Sequence, residues 1–292
     1  MTTRQAEIRK HVSESYTRAV TTPGASCCGG MQPAQKGVAV KSAGYGSELG
    51  DLPADAVENS FGCGNPLAFS EVSEGDTVID LGSGAGIDLL IAARRTGPTG
   101  HVIGIDMTEA MIERANANIA SAGVSDYVQV RKGLIEHLPV ESGTVDWVIS
   151  NCVINLSPEK DRVFAEIARV LKPGGRMLVS DIVVESLPEE LRRNQALYNS
   201  CVAGAISEKE YLDGLRRAGM TDVQVRTRHV YDEVQLESLI ESEIVEPAAA
   251  GAKSGGCCAP SCCGGSGDID VAQMARRASG KVASISVYAR KA

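Results

Sequence analysis

Apolar residues along the chain follow two different periods, and each period predicts a kind of element. Ile8, Val12, Tyr16 and Val20 recur every four residues, which is typical of an amphipathic helix. From residue 76 onward, apolar runs of strand length alternate with helix-length segments. These runs predict five strands, at Asp76–Leu81, His101–Asp106, Tyr127–Arg131, Val145–Ser150 and Arg176–Val184.

Helix signals lie between the predicted strands. One helix follows the first strand and ends near Arg95, and Thr108 caps a second that ends near Ser121. A third runs over Pro158–Leu171, where the sequence Lys-Pro-Gly-Gly stops it. Strands that alternate with helices form βαβ units with right-handed crossovers, so the sequence predicts an α/β fold with a parallel sheet covered on both faces.

The pattern continues beyond this core. Helices are predicted at Pro188–Cys201 and at Ser207–Ala218, the second opening with a capping box. Thr221–Arg228 and Ala283–Ala289 alternate as half-buried strands. The stretch AAAGAKSGGCCAPSCCGGSG between them is too rich in Gly, Ala and Ser to pack a core, which predicts a mobile insertion before the last strand.

This pattern divides the chain into five segments. We expect an N-terminal helix and lid segment at 1–66, a cofactor-binding core at 67–184, C-terminal helices and a sixth strand at 185–230, the Cys-rich insertion at 231–281 and the last strand at 282–292. We expect the sixth strand to run parallel to its neighbours in the sheet, so that the insertion leaves from the cofactor edge of the sheet.

Composition indicates a soluble globular protein. The 292 residues are 43% hydrophobic and 23% charged, and no run of 18 apolar residues predicts a membrane span. The first twenty residues lack the apolar core of a secretory signal, so we expect a cytoplasmic protein with reduced thiols. The net charge of −8 argues against nucleic acid or an anionic membrane as the main partner.

A glycine-rich turn directly follows the first predicted strand and opens a helix, which is the context of a nucleotide-binding loop. Its sequence is Asp80-Leu81-Gly82-Ser83-Gly84-Ala85-Gly86-Ile87, with Ile87 where the dinucleotide fingerprint has a third glycine. An acid before G-x-G-x-G resembles the first motif of class I S-adenosylmethionine (SAM) methyltransferases. Asp106, at the end of the second strand, is placed to accept hydrogen bonds from ribose hydroxyls.

The same resemblance implies a set of SAM-binding residues. The segment after the third strand would line the adenine, and its Glu136 either bonds the adenine edge or lies in solvent. His137 is expected to be an exposed polar residue rather than a base, and Trp147 a core residue. The implied cofactor-binding residues are Asp80, Gly82, Ser83, Gly84, Gly86, Asp106, Met107, Leu134, Ile135, Glu136 and Asn151.

Nine cysteines add a second chemistry, because thiolates select soft metals and metalloids. Cys63, Cys152 and Cys201 stand alone, and the other six form the adjacent pairs Cys27–Cys28, Cys257–Cys258 and Cys262–Cys263. Cys152 follows the fourth strand, at the edge where parallel sheets bind ligands, so it should face the reactive end of the cofactor. The alternative is an inert buried cysteine, since free Cys behaves as a small hydrophobe.

The segments FGCGNP, SNCVINLSPEKDRVFAEIARVLKPGGRMLVSDIV and NSCVAGA together resemble the arsenite methyltransferases, over nearly the whole chain. The resemblance implies a Rossmann-like, mostly parallel seven-stranded sheet with helices on both faces and an antiparallel last strand, in a monomer. It implies that Cys63, Cys152 and Cys201 hold As(III), supplied as arsenite or methylarsenite. Phe61 stands where the family often has an aromatic residue with a hydroxyl group. Phenylalanine has no hydroxyl, so a role of that group does not carry over to this chain.

Redox cycling completes the expected chemistry. Methyl transfer formally oxidises arsenic, and either Cys27 or Cys28, with Cys63, would reduce it by forming a disulfide that thioredoxin or glutathione reopens. Cys257, Cys258, Cys262 and Cys263 lack zinc-finger spacing, and are either an accessory metalloid-capture site or part of a dispensable loop. Two rival hypotheses are a SAM-dependent C-methyltransferase of a quinone or sterol-like acceptor, and a thiol protein that sequesters metalloid on a methyltransferase fold.

Overall fold

The computed structural model describes residues 3–21, 52–60, 65, 71–192, 198, 201–243 and 271–292. These residues form one sheet whose strands are β1 Thr77–Leu81, β2 His101–Asp106, β3 Val128–Lys132, β4 Val145–Asn151, β5 Leu171–Val184, β6 Met220–Val230 and β7 Val282–Lys291. The spatial order is β3-β2-β1-β4-β5-β7-β6. β1 to β5 pair in parallel, and β7 pairs antiparallel with both β5 and β6. The predicted fold class is confirmed.

Helices cover both faces of the sheet. They are α1 Thr3–Thr21, α2 Ala54–Glu58, α3 Ile87–Thr96, α4 Glu109–Ser121, α5 Lys160–Val170, α6 Glu189–Arg192, α7 Glu208–Arg217, α8 Glu233–Glu243 and α9 Val271–Ala278. Side chains of a strand alternate between faces, so Val78 packs with α3 and α4 while Ile79 packs with α5 and α7. Both faces of the central strands are therefore buried, which explains their continuous apolar runs.

Most predicted boundaries agree with the structure to within two residues, and β2 agrees at both ends. The capping box of α7 is confirmed, because Ser207 Oγ accepts from the Glu210 amide at 3.2 Å and Glu210 Oε2 accepts from the Ser207 amide at 3.0 Å. Strand β5 begins earlier than predicted. Leu171 pairs with Val145, and the chain then bulges before Arg176 pairs with Trp147. The Lys-Pro-Gly-Gly sequence thus ends the helix and bends the strand that follows.

The helix predicted at Pro188–Cys201 is wrong at its end. Helix α6 is described only over Glu189–Arg192, and Cys201 lies in a turn. Its φ angle of 64° is incompatible with a right-handed helix. Residues 193–197 and 199–200 are not among the described residues.

The predicted insertion begins and ends in helices. The prediction that β6 runs parallel to its neighbours is wrong, because β7 lies between β5 and β6 and pairs antiparallel with both. With β7 between them, β6 still runs in the direction of β1 to β5. Val230 pairs with Ala283 and Val184 pairs with Val282, so residues 231–281 leave and return at the carboxyl edge of the parallel strands. Helices α8 and α9 occupy the described ends and pack against each other. A mobile loop is therefore the wrong description for these ends, while residues 244–270 lie outside the described residues.

Helix α1 packs across the same edge of the sheet. Its Val12 and Val20 are buried, as the four-residue period predicted, and Arg114 of α4 donates to the carbonyl of Val20 and to Asp55 of α2. Within the described ranges, no helix is long and apolar enough to cross a bilayer.

Candidate functional site

A cleft of about 950 Å³, its open mouth included, lies at the carboxyl ends of the parallel strands. It is lined by residues that follow β1, β2, β3 and β4. The chain order reverses between β1 and β4, and this switch point is where open α/β sheets bind ligands. All predicted cofactor residues except Gly86 line the cleft. Gly86 instead caps the N-terminus of α3.

The glycine loop is built by backbone conformations that side chains resist. Gly82, Gly84 and Gly86 have φ angles of 69°, 52° and 93°. A Cβ atom on Gly82 would lie 2.4 Å from a methyl group of Val153, so the loop and the turn after β4 touch at this point. A Cβ on Gly84 would meet nothing within 4 Å, so this glycine adjoins open space. The amides of Gly82 and Ser83 donate hydrogen bonds to the carbonyl oxygen of Ile105 in β2, at 2.7 and 3.1 Å, and these bonds hold the loop against β2.

Three buried carboxylates surround the loop, from Asp80, Asp88 and Asp106. Burial raises the pKa of Asp80 well above its usual range, and the charges of Asp88 and Asp106 raise it further. Burial also raises the pKa of Asp106, against backbone amides that include those of Gly84 and Thr108. A cluster of this kind is stabilised by a positively charged ligand, and a sulfonium cofactor with an amino group carries such charge.

Among the described residues, three buried polar atoms around the cleft have no hydrogen-bond partner: Ser83 Oγ, Asn59 Oδ1 and Arg9 Nη1. A buried polar group left unpaired costs about 1–3 kcal/mol, so such atoms mark places where a bound molecule supplies the partner. The set contains a cationic donor, an amide acceptor and a hydroxyl. A ligand with both acceptors and donors, such as SAM, fits this arrangement.

One of the two predictions for Glu136 is wrong. It is 6% exposed, so the alternative of a solvent position is wrong. Its Oε1 accepts from Arg9 Nη2 at 2.9 Å and from Ser157 Oγ at 2.6 Å. Arg9 Nη2 also donates to Glu159 at 2.6 Å. These contacts tie α1 to the loops after β3 and β4, and a bond from Glu136 to adenine stays a prediction.

Cys152 and Cys201 lie in one apolar cluster at the edge of the cleft, hereafter the cysteine cluster. Its buried members are Val12, Cys152, Leu156, Ile182, Val184, Leu187, Leu191, Cys201, Val202, Ala203, Ala205, Leu236, Ala275, Ala278 and Val282. The cluster thus joins α1, the end of β5, and the helices α8 and α9 that flank the Cys-rich segment. Cys152 also lines the cleft.

Both cysteines are held in an unusual backbone conformation. Among the described residues, only Cys152, Cys201 and Asp222 combine a side chain with a positive φ, at 58°, 64° and 50°. The Cys201 thiol donates to the carbonyl oxygen of Cys152 at 2.6 Å. Cys152 is disulfide-bonded, whereas Cys201 carries a reduced thiol. Strained backbone concentrates at functional sites, where the surrounding structure enforces it.

A buried polar network supports these turns. Lys160 Nζ donates to the carbonyls of Asn155 and Ser157 at 3.1 and 2.9 Å, and burial lowers the pKa of Lys160 to about 8. Asn155 Nδ2 donates to Asp181 at 2.6 Å, and burial raises the pKa of Asp181 to about 7. A Cβ on Gly204 would lie 2.3 Å from the carbonyl oxygen of Asn155. The turn that carries Cys201 therefore packs directly on the segment that follows Cys152.

The remaining cysteine predictions fall outside the described residues. These are Cys27, Cys28, Cys63, Cys257, Cys258, Cys262 and Cys263. His137 is exposed and Trp147 is buried, as predicted. Arg9, Asn59 and Asp88 line the cleft but were not predicted. The sequence does contain a signal for Asp88, because it is an acidic residue two positions after the last glycine of the loop. No sequence pattern links Arg9 to a partner 127 residues away.

Comparison with known proteins agrees with this geometry. A family model described as a methyltransferase domain matches residues 72–219. The arsenite methyltransferase of Halobacterium salinarum is 42% identical over 75% of this chain and 59% of that protein. The human arsenite methyltransferase is 34% identical over 71% of this chain and 56% of that protein. This chain therefore spans less than two thirds of these curated relatives.

A solved structure extends the comparison to three dimensions. The crystal structure of CrArsM, an arsenic(III) S-adenosylmethionine methyltransferase from Chlamydomonas reinhardtii, is 31% identical with a TM-score of 0.62. The match covers 86% of this chain and 72% of CrArsM. Fold, cleft and sequence similarity lead to one conclusion: the chain belongs to the arsenite S-adenosylmethionine methyltransferase family.

Proposed function

We propose that this chain transfers methyl groups from SAM to trivalent arsenic held by cysteine thiolates. The observation that carries the proposal is the pairing of Cys152 and Cys201. Both are buried in one cluster beside the cofactor cleft, both have left-handed backbone, and the sulfur of one is hydrogen-bonded to the backbone of the other. Soft thiolates in a water-excluded setting suit a soft metalloid.

The proposed cofactor site divides into two halves. The carboxylates of Asp80, Asp88 and Asp106 would hold the positively charged half and the ribose, and the apolar Leu134 and Ile135 would hold the flat base. SAM supplies an electrophilic methyl group on a positively charged sulfur. Asn151 is the last residue of β4 and Cys152 follows it directly, so the cofactor site and the arsenic site share one strand end. Holding two reactants in a productive geometry lowers a barrier by about 7–11 kcal/mol in favourable cases.

Cys152, Cys201 and Cys63 are the proposed arsenic ligands, which bind arsenite or methylarsenite as substrate. Three thiolates displace the three hydroxide groups of arsenite, and two of them displace the two hydroxide groups of methylarsenite. In both cases the arsenic lone pair is left on one side. Because Cys152 is disulfide-bonded in this structure, arsenic binding requires prior reduction of that bond. This requirement supports a thiol reductant, thioredoxin or glutathione, as a participant in turnover.

Redox cycling accounts for the fate of the electrons. Methylation makes a new arsenic–carbon bond with the arsenic lone pair and breaks the bond between the sulfonium sulfur and the methyl carbon of SAM. S-adenosylhomocysteine leaves with the electron pair of the broken bond, and arsenic is formally raised to the pentavalent level. Two thiols, proposed as Cys63 with Cys27 or Cys28, return two electrons by forming a disulfide and releasing two protons. Thioredoxin, or two molecules of glutathione, then reduces that disulfide, which makes the enzyme ready for another methyl transfer.

Serine variants at the two described cysteines test the proposal. Cys152→Ser and Cys201→Ser keep side-chain size but replace a soft thiolate by a hydroxyl, so each is expected to lower arsenite methylation by at least about a hundredfold, equivalent to 2.7 kcal/mol of transition-state stabilisation. The measurement is formation of S-adenosylhomocysteine and methylated arsenic, with binding of S-adenosylhomocysteine as the control for an intact cleft. Near-normal methylation in either variant would remove that residue from the site.

The same assay separates the rival functions. A quinone or sterol-like C-methyltransferase would form S-adenosylhomocysteine without arsenite, and a sequestering protein would bind arsenite without consuming SAM. The proposed function requires that S-adenosylhomocysteine forms only when arsenite and a thiol reductant are both present.

A further inference from the structure

Arg9 of α1 is a buried arginine that keeps one donor unused. Its Nε and Nη2 atoms donate to Glu136 Oε1 at 3.2 and 2.9 Å, and Nη2 also donates to Glu159 at 2.6 Å. The third nitrogen, Nη1, is buried and has no hydrogen-bond partner in the part of the chain that the structure describes, and the side chain is 8% exposed. Leaving a buried cationic donor unpaired is costly, so the site favours a molecule that brings an acceptor.

The position of Arg9 makes that molecule the cofactor. Arg9 lines the cleft together with Leu134, Ile135 and Glu136. Glu136 and Glu159 hold the guanidinium in place, so Nη1 is the donor that remains for a molecule in the cleft. The same cleft contains the carboxylates around the glycine loop, which suit the positively charged half of SAM. The adenosine half is thus the half that would meet Arg9.

Charge decides which kind of acceptor fits. Two carboxylates already compensate the positive charge of Arg9, at 2.9 and 2.6 Å. A further anion, such as the carboxylate of the cofactor, would be repelled by both glutamates. A neutral acceptor is not repelled. The ring nitrogens of adenine are neutral acceptors, and the apolar Leu134 and Ile135 that line the cleft suit its flat ring.

We propose that Arg9 is a cofactor-binding residue, whose Nη1 donates a hydrogen bond to a ring nitrogen of the adenine of SAM. Helix α1 is then a wall of the cofactor site rather than a separate appendage. Val12 and Tyr16 of the same helix also line the cleft, and Val12 belongs to the cysteine cluster. One helix therefore contacts both the base of the cofactor and the cluster that contains Cys152 and Cys201.

Calorimetric titration of wild type and Arg9→Lys with S-adenosylhomocysteine and 5′-methylthioadenosine tests the proposal. Lysine keeps the positive charge for the two glutamates but lacks the planar fork that leaves a spare donor. Both ligands contain adenine, and only the first carries a carboxylate. We expect Arg9→Lys to bind each about tenfold more weakly. Arg18→Lys, an exposed position on the same helix, is the matched control and should bind both normally.

A second measurement identifies the acceptor atom and excludes a merely structural effect. S-adenosylhomocysteine analogues with 1-deaza, 3-deaza or 7-deaza adenine each lack one ring acceptor. In wild type, one analogue should bind about tenfold more weakly than S-adenosylhomocysteine, and in Arg9→Lys this analogue should bind as well as S-adenosylhomocysteine does. For each of the other two analogues, the loss of affinity relative to S-adenosylhomocysteine should be the same in both proteins. Arg9→Met, which keeps an unbranched side chain but has no donor, repeats the cycle if Arg9→Lys does not fold.

Two results would overturn the proposal. A loss for S-adenosylhomocysteine alone, with 5′-methylthioadenosine unaffected, would assign Arg9 to the carboxylate instead. Deaza penalties that are identical in wild type and variant would show that Arg9 does not touch the base. The proposal rests on SAM binding but not on arsenic chemistry, so failure of wild type to bind S-adenosylhomocysteine at all would count against the proposed function instead.

Discussion

Asp80 is the residue whose pKa we expect the positive charge of the cofactor to change most. Its carboxyl is buried at the end of β1, and burial together with Asp88 and Asp106 raises its pKa. In the ligand-free protein this group therefore holds its proton to a higher pH than an ordinary aspartate. A positive ligand reverses the balance, because it stabilises the ionised carboxylate and lowers its pKa.

The consequence is a pH-dependent preference for SAM over S-adenosylhomocysteine, whose sulfur is neutral. Binding of SAM should release protons from the acidic cluster, so its affinity should rise with pH through the raised pKa of Asp80 and then level off. We expect Asp80→Asn to lower the ratio of SAM to S-adenosylhomocysteine affinity about tenfold and to flatten its pH dependence. Calorimetry in buffers of different ionisation enthalpy measures both quantities.

An exposed aspartate provides the comparison. Asp126→Asn, in the turn before β3, removes a charge without touching the cleft and should leave the affinity ratio and its pH slope unchanged. Equal pH slopes for the two ligands in wild type, or an unchanged slope in Asp80→Asn, would contradict the role of Asp80.

At the scale of elements, the sequence predicts what local chemistry decides. Alternating apolar residues located the strands, and the Ser-x-x-Glu pattern at Ser207 located the start of α7, because both signals act within a few residues. The turn at Cys201 was wrongly predicted as helix, since its positive φ is imposed by packing on Asn155 and by the bond to Cys152. The Arg9–Glu136 pair was missed for the same reason, because it joins residues far apart in sequence.

Helix α7 shows how a local sequence signal positions residues that support the site from outside the cleft. Its Tyr211 hydroxyl donates to Asp181 at 3.3 Å, and its Tyr211 ring packs on Phe164 of α5 with centroids 5.1 Å apart. Ser207→Ala removes the capping box and should lower the free energy of unfolding by about 1 kcal/mol. Denaturant unfolding measures this loss, and affinity for S-adenosylhomocysteine should not change because α7 does not line the cleft.

Ser125→Ala is the matched control, since Ser125 is an exposed serine in a turn before β3. Equal stability losses in the two variants would mean that the capping box contributes nothing specific. An unchanged unfolding free energy in Ser207→Ala would have the same meaning.

At the scale of the whole molecule, three distant parts of the chain meet in the cysteine cluster. Helix α1 contributes Val12, the core contributes Cys152 and Ile182, and the C-terminal helices contribute Leu236 and Ala275. The segment 244–270, which contains four cysteines, therefore connects two helices that pack into the cluster of the proposed arsenic site. This arrangement supports the hypothesis that the Cys-rich segment captures metalloid and delivers it.

Deletion of residues 255–265 tests that hypothesis. A tethered ligand raises the local concentration of what it carries, to the order of millimolar for short flexible linkers. Without the four thiols, the arsenite concentration for half-maximal rate should rise about fivefold, because capture at low concentration is lost, whereas the rate at saturating arsenite should be unchanged. Steady-state kinetics across arsenite concentrations, with excess reductant, gives both numbers.

A full-length variant with serine at Cys257, Cys258, Cys262 and Cys263 distinguishes thiol chemistry from loop length. If thiols capture the metalloid, the serine variant should reproduce the fivefold shift of the deletion at unchanged maximal rate, because both lack the soft ligands and only one changes the connection between α8 and α9. A shift in the deletion alone would assign the effect to the shortened connection, and wild-type kinetics in both variants would make the segment dispensable. Since α8 and α9 remain in both proteins, affinity for S-adenosylhomocysteine should stay constant, and a change in it would indicate damage to the cleft rather than loss of capture.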